Sequence, residues 1–162
     1  MAGGGEPAVR AAVAAAFPGC PPDVVDDFIA ALGAPSERLV AGARITLAKP
    51  YGANHILAAG GPYGLSFARF EPGRSTSLHY HTVRRELFCV RRGVLTLTSG
   101  PTVRRLRPFE VGRSTPGEPH ALANEGAELL EVLEIFSPAL LDDKVRVRDR
   151  YNRALGAVGL HQ

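Results

Sequence analysis

The stretch GRSTSLHYHTVRRELFCVRRG, Gly73 to Gly93, decides how this chain is read. It places Gly73, His79, His81, Glu86 and Gly93 in the pattern G-x5-H-x-H-x4-E-x6-G. His79 and His81 are two apart, and side-chain direction along a strand repeats every second residue, so both imidazoles project to one face. Further on, Gly117, His120 and Asn124 follow as G-x2-H-x3-N. Three of the chain's five histidines and one carboxylate thus belong to one candidate metal site.

Neutral imidazole and carboxylate suit divalent transition ions such as Fe, Mn, Ni and Zn. Four protein donors leave positions open on a metal that takes about five or six ligands. A structural zinc site would more readily use several thiolates in a closed tetrahedron. Cys89 is the one cysteine near the histidines, and its place in the alternating run Glu86 to Val90 reads as core or barrel lining. The expected cofactor is therefore one divalent transition metal (Fe, Mn, Ni or Zn), held by His79, His81, Glu86 and His120.

The double cluster resembles the two signature motifs of the cupin superfamily, over roughly residues 47 to 153. The first motif matches at every specified position. In the second, Thr115 and Pro116 stand where the pattern places its proline differently, and the opening glycine is displaced toward Gly112. The resemblance implies an all-β cupin jelly-roll barrel. Strand candidates spaced by Gly, Pro and Asn agree with it: 65–70, 77–81, 86–91, 94–98, 102–106, 118–123 and 129–136.

The flanks look like the type II mannose-6-phosphate isomerase family in its stand-alone form. They are Lys49-Pro50-Tyr51-Gly52, Arg84 with Glu86, Leu129 to Val132, and the run Asp142-Asp143-Lys144-Val145-Arg146 with Asp149-Arg150-Tyr151-Asn152-Arg153. That resemblance implies a metal-dependent isomerase or epimerase acting on a sugar or sugar phosphate. Lys49, Arg84 and Arg153 become the candidates for holding an anionic group, and no residue is singled out as the base. Two departures stand out. His79 replaces the glutamine usual in that family, and Asn152-Arg153 replaces its closing Gly-Arg. A three-His, one-Glu set resembles cupin oxygenases, so an Fe(II)-type dioxygenase is the alternative, with a non-catalytic sugar-binding cupin as the third reading.

At 162 residues the chain suits one domain with one core. The expected division is a mainly helical N-terminal extension over 1–43 and a cupin domain with a C-terminal tail over 44–162. Residues 1 to 5 read as disordered, 6–17 as an alanine-rich helix and 22–33 as a second helix packing on the barrel or on a partner subunit. The expected assembly is a homodimer. A net charge of +3 gives no reason to expect nucleic acid, and no apolar run is long enough to suggest a membrane span. Two cysteines make no disulfide framework, and the apolar stretch Ala11 to Phe17 is short for a signal peptide, which points to a cytoplasmic setting. The expected partner is a small-molecule substrate.

Plainer readings accompany several residues. Glu86 could pair with Arg84 or Arg85, a reading set aside because strand neighbours at odd offsets point away. Asn124, Tyr80 and Phe88 read as structural, and His55 and His161 as surface residues. The run Asp142 to Arg153 is either a solvated helix or tail, or a segment that brings Arg146 or Arg153 back to the barrel mouth.

Overall fold

Proline opens both long helices, where its missing N–H costs nothing because the first turn has no intrahelical acceptor for it. In the computed structural model, which describes residues 5–159, α1 spans Glu6–Ala16 and α2 spans Pro22–Gly33. Residues 1–4 and His161 lie outside the described residues. A third helix, α3 (Ser36–Ala41), was not anticipated, because six residues after Pro35 are too few to show a 3.6-residue period.

Strands begin at Ile45: β1 (Ile45–Lys49), β2 (Gly52–Ala58), β3 (Gly64–Phe70), β4 (Leu78–Tyr80), β5 (Arg85–Arg92), β6 (Leu95–Ser99), β7 (Thr102–Leu106), β8 (Val111–Ser114), β9 (His120–Ala123), β10 (Leu130–Ser137), β11 (Lys144–Arg148) and β12 (Gly156–Val158). They form two six-stranded sheets, in the orders β1-β2-β3-β10-β5-β8 and β12-β11-β4-β9-β6-β7. All strand pairings between named strands are antiparallel. This is the double-sheet jelly roll, with a small helical extension at the N-terminus.

The expected single core is two apolar layers. Between the sheets lie Phe70, Phe88, Val90, Leu95, Leu97, Leu106, Leu122, Leu130 and Val132. On the other face of the first sheet, Leu65, Phe67, Leu87, Cys89, Leu133 and Ile135 meet Val9, Val13, Phe28, Ile29 and Leu32 of the helices. Covering both faces explains why β3, β5 and β10 are buried along almost their whole length. It also places Cys89 in the helix-facing layer rather than in the barrel lining, and packs α2 on its own chain.

A buried polar cluster joins the helices to that sheet. Arg91 donates to the carbonyls at the end of α2, Leu32 at 3.2 Å and Ala34 at 2.6 Å, with a further bond to Ala31. Glu131, on the same face, accepts from Ser36 Oγ at 2.8 Å and lies 3.5 Å from Arg91 and from Arg69. Arg91 thereby satisfies the carbonyls that a helix C-terminus leaves without internal partners.

The C-terminal charge run is neither solvated helix nor tail. Its first half is β11, which joins the second sheet beside β4, with Val145 opposite Tyr80 and Arg146 opposite His79. His55 is likewise not a surface residue: it is buried on β2, with its Nδ1 2.9 Å from Thr46 Oγ1.

Candidate metal centre

The three motif histidines arrive from separate places. His79 lies on β4, His81 just past its end, and His120 opens β9, where it pairs directly with His79. The turn before β9 depends on Gly117, whose φ of 81° lies in the left-handed region and whose N–H donates to the His81 carbonyl at 2.8 Å. The displaced proline of the second motif therefore leaves the loop docked against the histidines. Asn124 closes the far end of β9 as a structural residue, donating from Nδ2 to the carbonyls of Phe70 (3.0 Å) and Glu128 (2.7 Å).

All three rings are buried, and their ligand atoms lie within 4.8 Å of one another. Each Nδ1 meets a backbone carbonyl: His79 with Ser77 at 2.8 Å, His120 with Glu118 at 3.0 Å, and His81 with Asp143. A carbonyl only accepts, so each Nδ1 carries the proton and, in the neutral ring, Nε2 presents its lone pair. This outer-shell arrangement orients imidazoles as ligands. Nε2 of His81 and of His120 are buried without a hydrogen-bond partner, yet each lies close to Glu86 Oε1, at 3.1 and 3.0 Å respectively. Lone pairs facing lone pairs at that range repel unless a proton or a cation lies among them. The donor set therefore fits a divalent metal, and Glu86 adds the neighbouring carboxylate.

Glu86 itself is held from two further sides. Arg84 Nη2 donates to Oε2 at 2.6 Å and Ser114 Oγ to Oε1 at 3.0 Å. Arg84 is two residues before Glu86, an even offset that shares its face, so the expectation that it points away is corrected. Burial pushes the Glu86 carboxyl up, but Arg84, His81 and the hydrogen bonds outweigh it and hold the group well below the usual carboxylate range. Burial pulls His120 down, and Glu86 more than restores it, leaving it raised. Burial, then the positive field of Lys144, keeps His79 well below the ordinary histidine value.

The cavity beside the triad is lined by Lys49, Arg84, Phe88, Glu134, Phe136 and Lys144, among others. Arg84 lies over the Phe136 ring, 4.4 Å from guanidinium carbon to centroid, and also donates to the Leu140 carbonyl at 2.8 Å. Arg153 does not line this cavity. Its guanidinium is engaged by Asp149, with two bonds of 2.9 Å, and it lies over Tyr151. The sequence reading missed Glu134 and Lys144. Glu134 interrupts the apolar run of β10 on the face it shares with Val132 and Phe136. Burial, then the Glu86 charge, pushes its carboxyl up to about 8. Asp143 was also missed as a latch: it accepts from the backbone N–H of Thr82 (3.1 Å), Val83 (2.9 Å) and Arg84 (2.9 Å), and from the Thr82 hydroxyl.

Residues 66–136 match the cupin domain family. Mannose-1-phosphate guanylyltransferase ManC of Salmonella typhimurium is 32% identical over 107 residues, which are 65% of this chain and 22% of that protein. The chain thus spans under a quarter of the length of the curated relatives it matches. Among solved structures, a serine-to-alanine mutant of Bacillus subtilis oxalate decarboxylase OxdC superposes with a TM-score of 0.59 at 21% identity, covering 68% of this chain and 31% of that one. KdgF from a Halomonas species does so with a TM-score of 0.51 at 22% identity, over 56% and 82% of the two chains. At these identities the structural likeness is one of fold. Among the described residues, no helix is long and apolar enough to cross a membrane.

Proposed function

The chain carries a cupin domain, and on that premise we propose a metal-dependent enzyme acting on a small oxygenated substrate, an isomerase or epimerase of a sugar or sugar phosphate. The observation that carries it is the set of converging imidazoles, two with orphaned Nε2 atoms, in the wall of a cavity that also holds a protonatable carboxyl. His79, His81 and His120, with Glu86, would hold one divalent ion of Fe, Mn, Ni or Zn. Such an ion supplies Lewis-acid polarisation of a carbonyl oxygen.

The remaining steps fall to side chains. Arg84 and Ser114 fix both oxygens of Glu86. Phe88, Leu122 and Phe136, with Leu47, Ile56 and Leu141, form the apolar part of the wall and limit water. Glu134 is the wall's second carboxyl and makes no ion pair among the described residues. It is assigned to carry the proton between adjacent substrate carbons. Lys49 stands in the wall for an anionic group; Arg84 lines the wall but is paired with Glu86, and Arg153, paired with Asp149, lies outside the lining. The curated relatives' names, which refer to mannose 1-phosphate, support a sugar phosphate as the substrate class.

The test is incubation of metal-loaded protein with aldose and ketose phosphates in deuterated water without oxygen. Deuterium should enter at the carbon next to the carbonyl, and Glu134→Gln should slow that exchange. Oxygen consumption with a small substrate, and no exchange, would move the assignment to a cupin dioxygenase, which His79 in place of glutamine favours. A homodimer and a cytoplasmic setting belong to the same proposal, the first supported by the open edges of both sheets, the second by two cysteines that are both free.

A further inference from the structure

Lys49 and Lys144 are the chain's two lysines, and both line the same cavity. Lys49 comes from β1 in one sheet and Lys144 from β11 in the other. β11 is inverted in polarity at its centre, between half-buried Lys144 and exposed Arg148. Its sequence, K-V-R-V-R, turns Arg146 inward at 1% exposure opposite His79, while Val147 faces out at 42% exposure. Burying an arginine and exposing a valine is the costly orientation at that point of a strand.

The charges around the cavity do not balance. Arg84 is matched by Glu86 and Arg153 by Asp149. Lys144 has no ion pair or hydrogen bond among the described residues. Arg146 does not line the cavity; it donates from Nη1 to the Ala154 carbonyl at 2.7 Å, and its Nε and Nη2 are buried without partners. Burial, followed by the fields of Lys49, Arg84, Arg146 and Arg153, pulls the Lys144 ammonium down to about 7, and an anion beside it would restore its charge. Lys49 is lowered by burial and by the same arginines. A divalent ion on the imidazoles would add to this charge rather than cancel it.

We propose that the inward face of β11 is a phosphoryl-binding subsite, with Lys144 at its centre and Lys49 meeting the same group from β1. Two compact ammonium charges attract a multiply charged phosphoryl group more strongly than a singly charged carboxylate. The inference deepens the sugar-phosphate reading and rests on it for the remainder of the substrate.

Inorganic phosphate titrated calorimetrically into the full chain, as purified and again after chelation, at fixed ionic strength, tests the assignment. Wild type should bind in both states. Lys144→Met and Lys49→Met should each weaken binding by roughly tenfold, the loss expected for a charge-assisted contact. Lys144→Arg should stay within about threefold of wild type, and Arg105→Met, on exposed β7, should not change it. Circular dichroism shows which variants fold; Lys49→Met and Lys144→Arg carry the test if Lys144→Met does not. Unchanged binding by folded Lys144→Met, loss of wild-type binding on chelation, or acetate binding as tightly as phosphate would each overturn the subsite. Lys144-dependent phosphate binding without deuterium exchange would sink the isomerase reading alone.

Discussion

Glu86 Oε1 lies 3.0 Å from His120 Nε2, in a ring whose other nitrogen already donates to the Glu118 carbonyl. The same oxygen is 3.1 Å from Nε2 of His81. A buried carboxylate shared by two imidazoles in this tautomer is complete only with a proton or a metal ion among them, and that relationship sets the first expectation.

Protein reconstituted with Fe(II), Mn(II), Ni(II) or Zn(II) and desalted should retain about one ion per chain by elemental analysis. His81→Ala should lose most of it. Equal retention by wild type and a variant lacking both His81 and His120 removes the site.

Arg84→Met should strip Glu86 of its 2.6 Å partner while leaving the carboxylate buried. Breaking one side of a buried pair costs about 3–5 kcal/mol. The urea midpoint should fall accordingly, with unchanged slope. A shift no larger than that of an exposed control such as Arg105→Met would show that Glu86 is stabilised by other groups.

Asp143 ties the segment after β10 to the start of β5. Burial pushes its carboxyl up, but the bonds from Thr82 and from the backbone of Val83 and Arg84 lower it overall. A depressed folded value means the contribution is present above the unfolded value of about 3.9 and disappears as pH falls through the folded one. Asp143→Asn should therefore lower stability at neutral pH by about 1 kcal/mol after allowance for solvent screening, read as a lower Tm. The gap from wild type should close in acid, and a gap that widens there would contradict the latch.

Phe28 is fully buried between α2 and the first sheet. Phe28→Ala should cost about 3–5 kcal/mol in a single cooperative unfolding transition. A separate early transition would mean that the helices and the barrel fold as independent units.

The proposed homodimer should give twice the chain mass in light scattering at micromolar concentration. The apolar face of α2 is buried on its own chain, so a second copy would cover a sheet edge instead, β1 with Ile45 at 38% exposure or β7 with Val103 at 62%. A monomer mass at that concentration rejects the dimer.

The metal motif was legible because its information is local. His79 and His81 share a face by strand periodicity, and the glycines at 73, 93 and 117 mark turns whose φ values, 76°, 81° and 81°, favour a residue without a side chain. The boundaries of α2 and β7 were legible for the same reason, since Pro22 and the run Thr102 to Leu106 carry their own signals. What surrounds the triad was not. Glu134 enters the cavity because β10 is sandwiched between β3 and β5, and the same strand sends Glu131 to the helices on the opposite face. Arg146 lies opposite His79 only because a segment more than sixty residues later adds itself to β4. The sequence by itself determined which residues could bind a metal and that strands would carry them. Tertiary structure decided which charges meet in the cavity, because strand pairing across long loops follows from the burial of both sheet faces and leaves no spacing to read in the chain.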